Sequence, residues 1–164
     1  MPYSIHNHLR YNAWANARIA ELVAPLDSAV IFRERKSSFP SIAKTLLHIH
    51  DAEIIWTKRL QGESLTSFPS RDFLEQKEML LKDFVLPSQF LVEFIASRGP
   101  EFLGSKFSYL NLKGDPFTDV VENALFHVVN HGTYHRGQIT TLLREAGLTQ
   151  LVSTDLIHYI RTLT

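Results

Sequence analysis

Apolar residues recur at helical spacing over four long stretches of this chain. Ile5, Leu9, Ala13, Ala20 and Val23 fall on one stripe, which predicts a first helix from about Ser4 to Ala24. Ser4 is a suitable N-cap and Pro25 stops the helix. Residues 27–40 mix charge, serine and proline and read as a connection. A second helix is predicted from near Ser41 to just before Gly62, a natural residue beyond a helix end. A third runs from about Arg71 to Ser97, with a kink or a break into two at Pro87. Between Phe107 and Thr118 the run Gly114-Asp115-Pro116 predicts an extended excursion with a turn, able to pair as a hairpin. A fourth helix follows from about Phe117 to Glu145, stopped at Gly147, and Thr154-Asp155 caps a short last one ending near Thr162. The pattern predicts a single all-α domain over residues 1–164: a four-helix bundle with an extended connection before its fourth long helix and a short C-terminal helix.

Placing residues about 100° apart around each helix sorts the histidines. On the second helix His48 falls beside Ala52 and Ile55, close to the apolar arc of Ile49, Trp56 and Leu60, and points inward. His50 falls by Thr57, Lys58 and Asp51, at the polar edge, and reads as solvated or interfacial. Leu47 and Ile54 interrupt that polar arc and mark a surface for another subunit to cover. On the fourth helix Ala124, His127, Val128, His131, His135, Gln138 and Leu142 share one inward stripe. Gly137 reads as a point of close backbone approach.

Histidines at that spacing are either hydrogen-bonded core residues or ligands. Two imidazoles one turn apart reach a single divalent ion, but His127 and His135 are about 12 Å apart along the axis, so one adjacent pair is the candidate. The remaining ligand must come from elsewhere, and His48 is the better placed of the second-helix histidines. Gln138, one turn beyond His135, can orient an imidazole. Glu53 points inward as a possible base, whereas Asp51 lies on the polar arc. A zinc-protease reading is weak, because the glutamate that should follow the first histidine is replaced by Gly132. Arg136 reads as a salt-bridging residue or, less favoured, as a holder of an anionic substrate. Trp14 and Trp56 read as core, and His6, His8 and His158 as structural or exposed.

Composition narrows the chemistry. Lys plus Arg and Asp plus Glu number 17 each, so the formal charge is zero and no basic face is available for a nucleic acid. With no cysteine, disulfides, iron–sulfur clusters and thiol nucleophiles are excluded, and a soft-metal site must be histidine-built. No apolar run approaches the ~20 residues needed to span a bilayer, and the N-terminus does not read as a signal peptide, so a cytoplasmic protein is expected.

The chain resembles the DinB family of helical-bundle metalloproteins. The likeness rests on Tyr11-Asn-Ala-Trp-Ala-Asn16, on Thr45-Leu-Leu-His48-Ile with Ala52-Glu53 and Trp56, on Phe107 to Phe117, on Asn130-His131-Gly-Thr-Tyr-His135-Arg-Gly-Gln138, and on Asp155 to Arg161. The resemblance implies a bundle of the family's own connectivity, often a homodimer, with one divalent metal ion (zinc, nickel or iron) on His48, His131 and His135. Gln138, His127 and Glu53 then stand behind the ligands. It implies activation of a low-molecular-weight thiol, or of water, toward a small organic electrophile. Three neutral imidazoles fit that chemistry, because they leave the charge of the ion uncompensated and a coordination position open. The alternative is a non-catalytic binder of a metal or small ligand.

Overall fold

The computed structural model describes residues 3–72 and 76–163. Helix α1 spans Ile5–Val23, and the Ser4 hydroxyl accepts from the Asn7 amide at its start. The connection that follows contains a short helix α2, Ser28–Phe32, which the sequence pattern missed. A helix of this length has no readable period; its one buried residue, Ile31, packs beside Ile19 and Val23. Helix α3, Ile42–Leu60, is capped by Ser41, whose hydroxyl accepts from the Lys44 amide, and stops at Gly62 with φ of 85°.

The third predicted helix begins later than expected. Residues 69–72 form a 3-10 turn, Phe73 to Glu75 lie outside the described residues, and α4 starts at Lys77. It ends at Phe84, and α5, Leu86–Ala96, carries Pro87 in its first turn, where no interior hydrogen bond is lost. A single turn α6, Glu101–Gly104, leads into strands β1, Lys106–Leu110, and β2, Pro116–Val120. They pair antiparallel from Lys106 opposite Val120 to Leu110 opposite Pro116. The long helix α7 therefore begins at Val121, later than Phe117, because β2 uses the intervening residues, and it runs to Glu145. Helix α8, Leu156–Arg161, closes the chain and is tied back by the Tyr11 hydroxyl, which donates to the Thr154 carbonyl at 2.9 Å.

The protein is thus mostly helical, with one small hairpin. Helix α1 packs on α5 and α7, and α3 packs on α7, α5 and α4. The core divides into two apolar clusters. One gathers Leu9, Ala15, Leu91, Ile95, Leu125 and Val129; the other gathers Ile19, Leu46, Ile49, Phe84, Ile139 and Leu142. Along α1, α3 and α7 the residues between the clusters are polar and buried: Asn12, Asn16, Glu53, His135 and Arg136. That polar layer is where the chemistry of the chain is concentrated.

One assignment is overturned here. His50 and Asp51 are 4% and 3% exposed, neither solvated nor at an edge. Residues 69–72 fold over this side of α3, with the Ser70 amide donating to Asp51 Oδ1 at 2.8 Å and the Ser70 hydroxyl to Oδ2 at 2.5 Å. A helical wheel shows the polarity of its own helix but not a connection that crosses it. Leu47 and Ile54 are half-buried; Leu47 packs on the second cluster and Ile54 lies in a groove beside Leu86 and Phe90.

Candidate metal centre

His48 from α3 and His131 and His135 from α7 converge at the polar layer. One ring nitrogen from each lies within 4.8 Å of the others. The two Nε2 atoms of His48 and His131 are 2.9 Å apart. Bonds of about 2.0–2.1 Å at tetrahedral angles set ligand nitrogens about 3.3 Å apart, so three nitrogens already within 4.8 Å of one another could close on one small divalent ion. Gln138 Oε1 lies 2.8 Å from His135 Nδ1 and accepts its N–H, which leaves the Nε2 lone pair free to ligate.

The electrostatics favour ligation by neutral imidazole. Burial, reinforced by the neighbouring His135, pushes His48 down to about 4. Burial followed by the charges of His135, His48 and His127 pushes His131 down to about 3. Both rings are therefore unprotonated at neutral pH. Phe39 stacks on His48 with ring centres 3.9 Å apart and meets His135 edge-on at 5.4 Å, covering one face of the first ring. Beside His48 opens a cavity of about 520 Å³ walled by Phe39, Leu47, Phe68 and Leu112.

His127 sits on the rim. It is exposed, its ring centre 5.9 Å from that of His131 and 5.1 Å from that of Trp56, so the inward stripe of α7 ends short of it. Glu53 is 1% exposed, and its Oε1 accepts from the side-chain amides of Asn12 at 2.6 Å and Asn16 at 2.8 Å. The carbonyls of the same two amides accept from Arg136 Nη1 at 2.7 and 2.8 Å, while Nη2 donates to the Thr133 hydroxyl at 2.9 Å. Arg136 is 1% exposed, and its two Nη groups are taken up by amides and a hydroxyl in the interior while Nε has no partner, so among the described residues it neither forms a salt bridge nor is free to hold a substrate. The role of Asn12 and Asn16 was missed by sequence reasoning. Two amides at i and i+4 within the buried face of α1 were the available signal.

The glycine assignment also changes. A Cβ on Gly137 would meet nothing within 4 Å, so no close approach occurs there. A Cβ on Gly132 would lie 2.8 Å from both Arg136 Nη1 and Asn12 Oδ1. Gly132, between the two α7 histidines, is therefore the residue that lets this network close.

Among the described residues no helix is long and apolar enough to cross a membrane. The family model of the DinB family matches residues 1–162. Protein DinB of Bacillus subtilis (strain 168) is 33% identical over 144 residues, covering 84% of this chain and 83% of that protein. The crystal structure of a DinB-like protein from Bacillus cereus ATCC 10987 superposes with a TM-score of 0.70 at 18% identity, over 93% of this chain and 99% of that one, a likeness of fold. The chain belongs to the DinB family.

Proposed function

We propose that this DinB-family chain is a four-helix bundle that binds one divalent metal ion through His48, His131 and His135 and uses it as an enzyme on a small organic electrophile. The observation that carries the reading is the convergence of three imidazole nitrogens within 4.8 Å, two of them held neutral by burial, beside a largely apolar cavity. A metal held this way supplies Lewis acidity, lowering the pKa of a bound low-molecular-weight thiol or water. The protein's own contribution is positional. Gln138 fixes the tautomer of His135, Phe39 covers one face of His48 and meets the edge of His135, and Leu47, Phe68 and Leu112 offer an apolar wall to the body of a substrate. The absence of cysteine means that a thiol must arrive as a co-substrate. Within this reading the protein acts as a homodimer in the cytoplasm, and nucleic acid is not a partner of a chain with no net charge.

Metal content and turnover are tested together. Elemental analysis should find about one divalent ion per chain, retained in His50→Gln and lost in His131→Ala. Thiol-dependent consumption of a bromobimane-type electrophile should follow the metal. Unchanged metal content in His131→Ala would sink the site. A full metal load with no turnover across a panel of thiols and electrophiles would favour the non-catalytic binder.

A further inference from the structure

Among the described residues Arg59 is buried like Arg136, but its two Nη groups are used in the opposite way. It lies in the last turn of α3 and is 8% exposed. Its guanidinium carbon is 4.6 Å from the Trp56 ring centre and 4.4 Å from that of Tyr109, wedged where the two rings meet edge-to-face. Among the described residues no carboxylate pairs with it, and no acceptor takes a hydrogen bond from it; its Nε is buried without a partner. The two Nη groups are not among the buried orphans, so they reach solvent. The nearby Asp119 carboxylate instead accepts the Tyr109 hydroxyl at 2.8 Å.

Two aromatic faces and the carbonyl end of a helix explain why a cation is tolerated here. They do not explain a fork of donors left without an acceptor. A planar guanidinium with an open edge matches one chemical partner above others, an oxyanion that accepts two parallel N–H bonds. The place matters as well. Trp56 contacts His127, and His127 lies next to His131, so one indole and one imidazole connect Arg59 to the histidine cluster.

We propose that Arg59 is the anchor for the carboxylate of an organic ligand whose body lies over Trp56 and His127, directed toward His131. The anion site stands on the geometry of Arg59 alone; only the direction of the ligand rests on the metal-centre reading.

The test uses para-fluorobenzoate followed by fluorine NMR, with para-fluorobenzamide as the uncharged isostere, on the protein as purified. The benzoate should bind saturably and the amide should not. Arg59→Met keeps the apolar stem and should weaken the benzoate by about tenfold or more, and Arg59→Lys, which keeps charge but not the fork, by less. Thermal melts of each variant separate a lost anchor from a lost fold. His131→Ala should leave benzoate binding in place even when metal is gone. No saturable binding to the parent, or equal affinity in the folded Arg59→Met protein, overturns the anchor. Binding lost in His131→Ala but kept in Arg59→Met would put the carboxylate at the histidine cluster and overturn it as well.

Discussion

At the level where the two apolar clusters meet, α7 turns His131 and His135 toward α3 on one side and Arg136 toward α1 on the other, and the two sides are chemical opposites. On the Arg136 side a cation and the Glu53 carboxyl are joined through two amides, each giving its N–H to the carboxyl and its carbonyl to the guanidinium. Nothing there is left for a ligand to reach. On the histidine side three imidazoles crowd around one point, half-open to a cavity, and the Nε2 atoms of His48 and His131 face only each other. A polar cluster sealed in the interior and cross-linked by hydrogen bonds holds helices in register, even with Glu53 Oε2 and Arg136 Nε left without partners; lone pairs that face a cavity invite an occupant. Adjacent residues of one helix serve both, so the structural side fixes where the histidine side points.

The largest effect is expected from breaking the sealed side. Arg136→Met removes a buried cation and strands the side-chain carbonyls of Asn12 and Asn16, two acceptors in the interior. Each buried acceptor left without its donor costs about 1–3 kcal/mol. A denaturant melt of the metal-free variant should show a loss of that order. A loss below about 1 kcal/mol would mean that the network positions helices without stabilising them.

The two sides should also answer pH with opposite signs. Burial pushes Glu53 up to about 7, against the hydrogen bonds of Asn12 and Asn16 and the charge of Arg136. A raised carboxyl contributes stability that is full below its unfolded value of about 4.5 and is lost as pH rises through about 7. His48 and His131 are lowered to about 4 and about 3. Above about 6.5 they are neutral in both states; as pH falls below that, the unfolded chain takes protons that the folded metal-free chain refuses, and stability drops. The Glu53 loss runs from about 4.5 to about 7 and the histidine loss from about 6.5 downward, so below about 6.5 the two oppose each other, the histidines set the sign, and only the last stretch up to about 7 belongs to Glu53 alone. His48→Gln with His131→Gln should remove the fall in stability below about 6.5, and Glu53→Gln should steepen that fall and remove the decline that ends near pH 7. A single limb abolished by both sets of substitutions would show that the two clusters titrate as one.

How much of this was legible follows from how local each signal is. Ser4 and Ser41 cap their helices within three residues of sequence, and Pro87 and Gly147 act on their own backbone, so the element boundaries near them could be read directly. The inward placement of His48, His131 and His135 follows from the wheel, because each lies on the buried side of its own helix. What could not be read depends on chain remote in sequence. His50 and Asp51 are buried by residues 69–72, and Arg136 finds its partners more than a hundred residues away on α1. The start of α7 moved because β2 competes for the same residues, a choice that only the pairing with β1 decides.

On the open side the finer test is Gln138→Ala. Its carbonyl holds the His135 N–H at 2.8 Å, and loss of such a supporting acceptor typically weakens metal affinity about 10- to 100-fold. Competition against a chelator should show that weakening with the melting temperature of the metal-free protein nearly unchanged. An unchanged affinity would mean that the backbone of α7 alone orients His135.

The smallest effects come from two glycines of the same helix, and they probe the contrast most cleanly because neither carries chemistry. Gly137 is exposed, and a methyl there meets nothing within 4 Å. Gly137→Ala should therefore recover the helix propensity that glycine forgoes, raising stability by up to about 1 kcal/mol. Gly132→Ala recovers the same propensity but puts its methyl 2.8 Å from Arg136 Nη1 and Asn12 Oδ1. Long side chains ordinarily swing aside from such a contact. Here Nη1 is held by both Asn12 and Asn16, and Asn12 is held in turn by Glu53, so relief requires breaking a hydrogen bond in the interior. Overpacking a fixed core costs about 1–3 kcal/mol, more than the propensity returns, so the sign should reverse and Gly132→Ala should destabilise. Paired denaturant melts of the two variants measure that difference directly. Equal stabilisation at both positions would show that the sealed side has slack, and the distinction drawn between the two halves of the polar layer would then fail on its structural half.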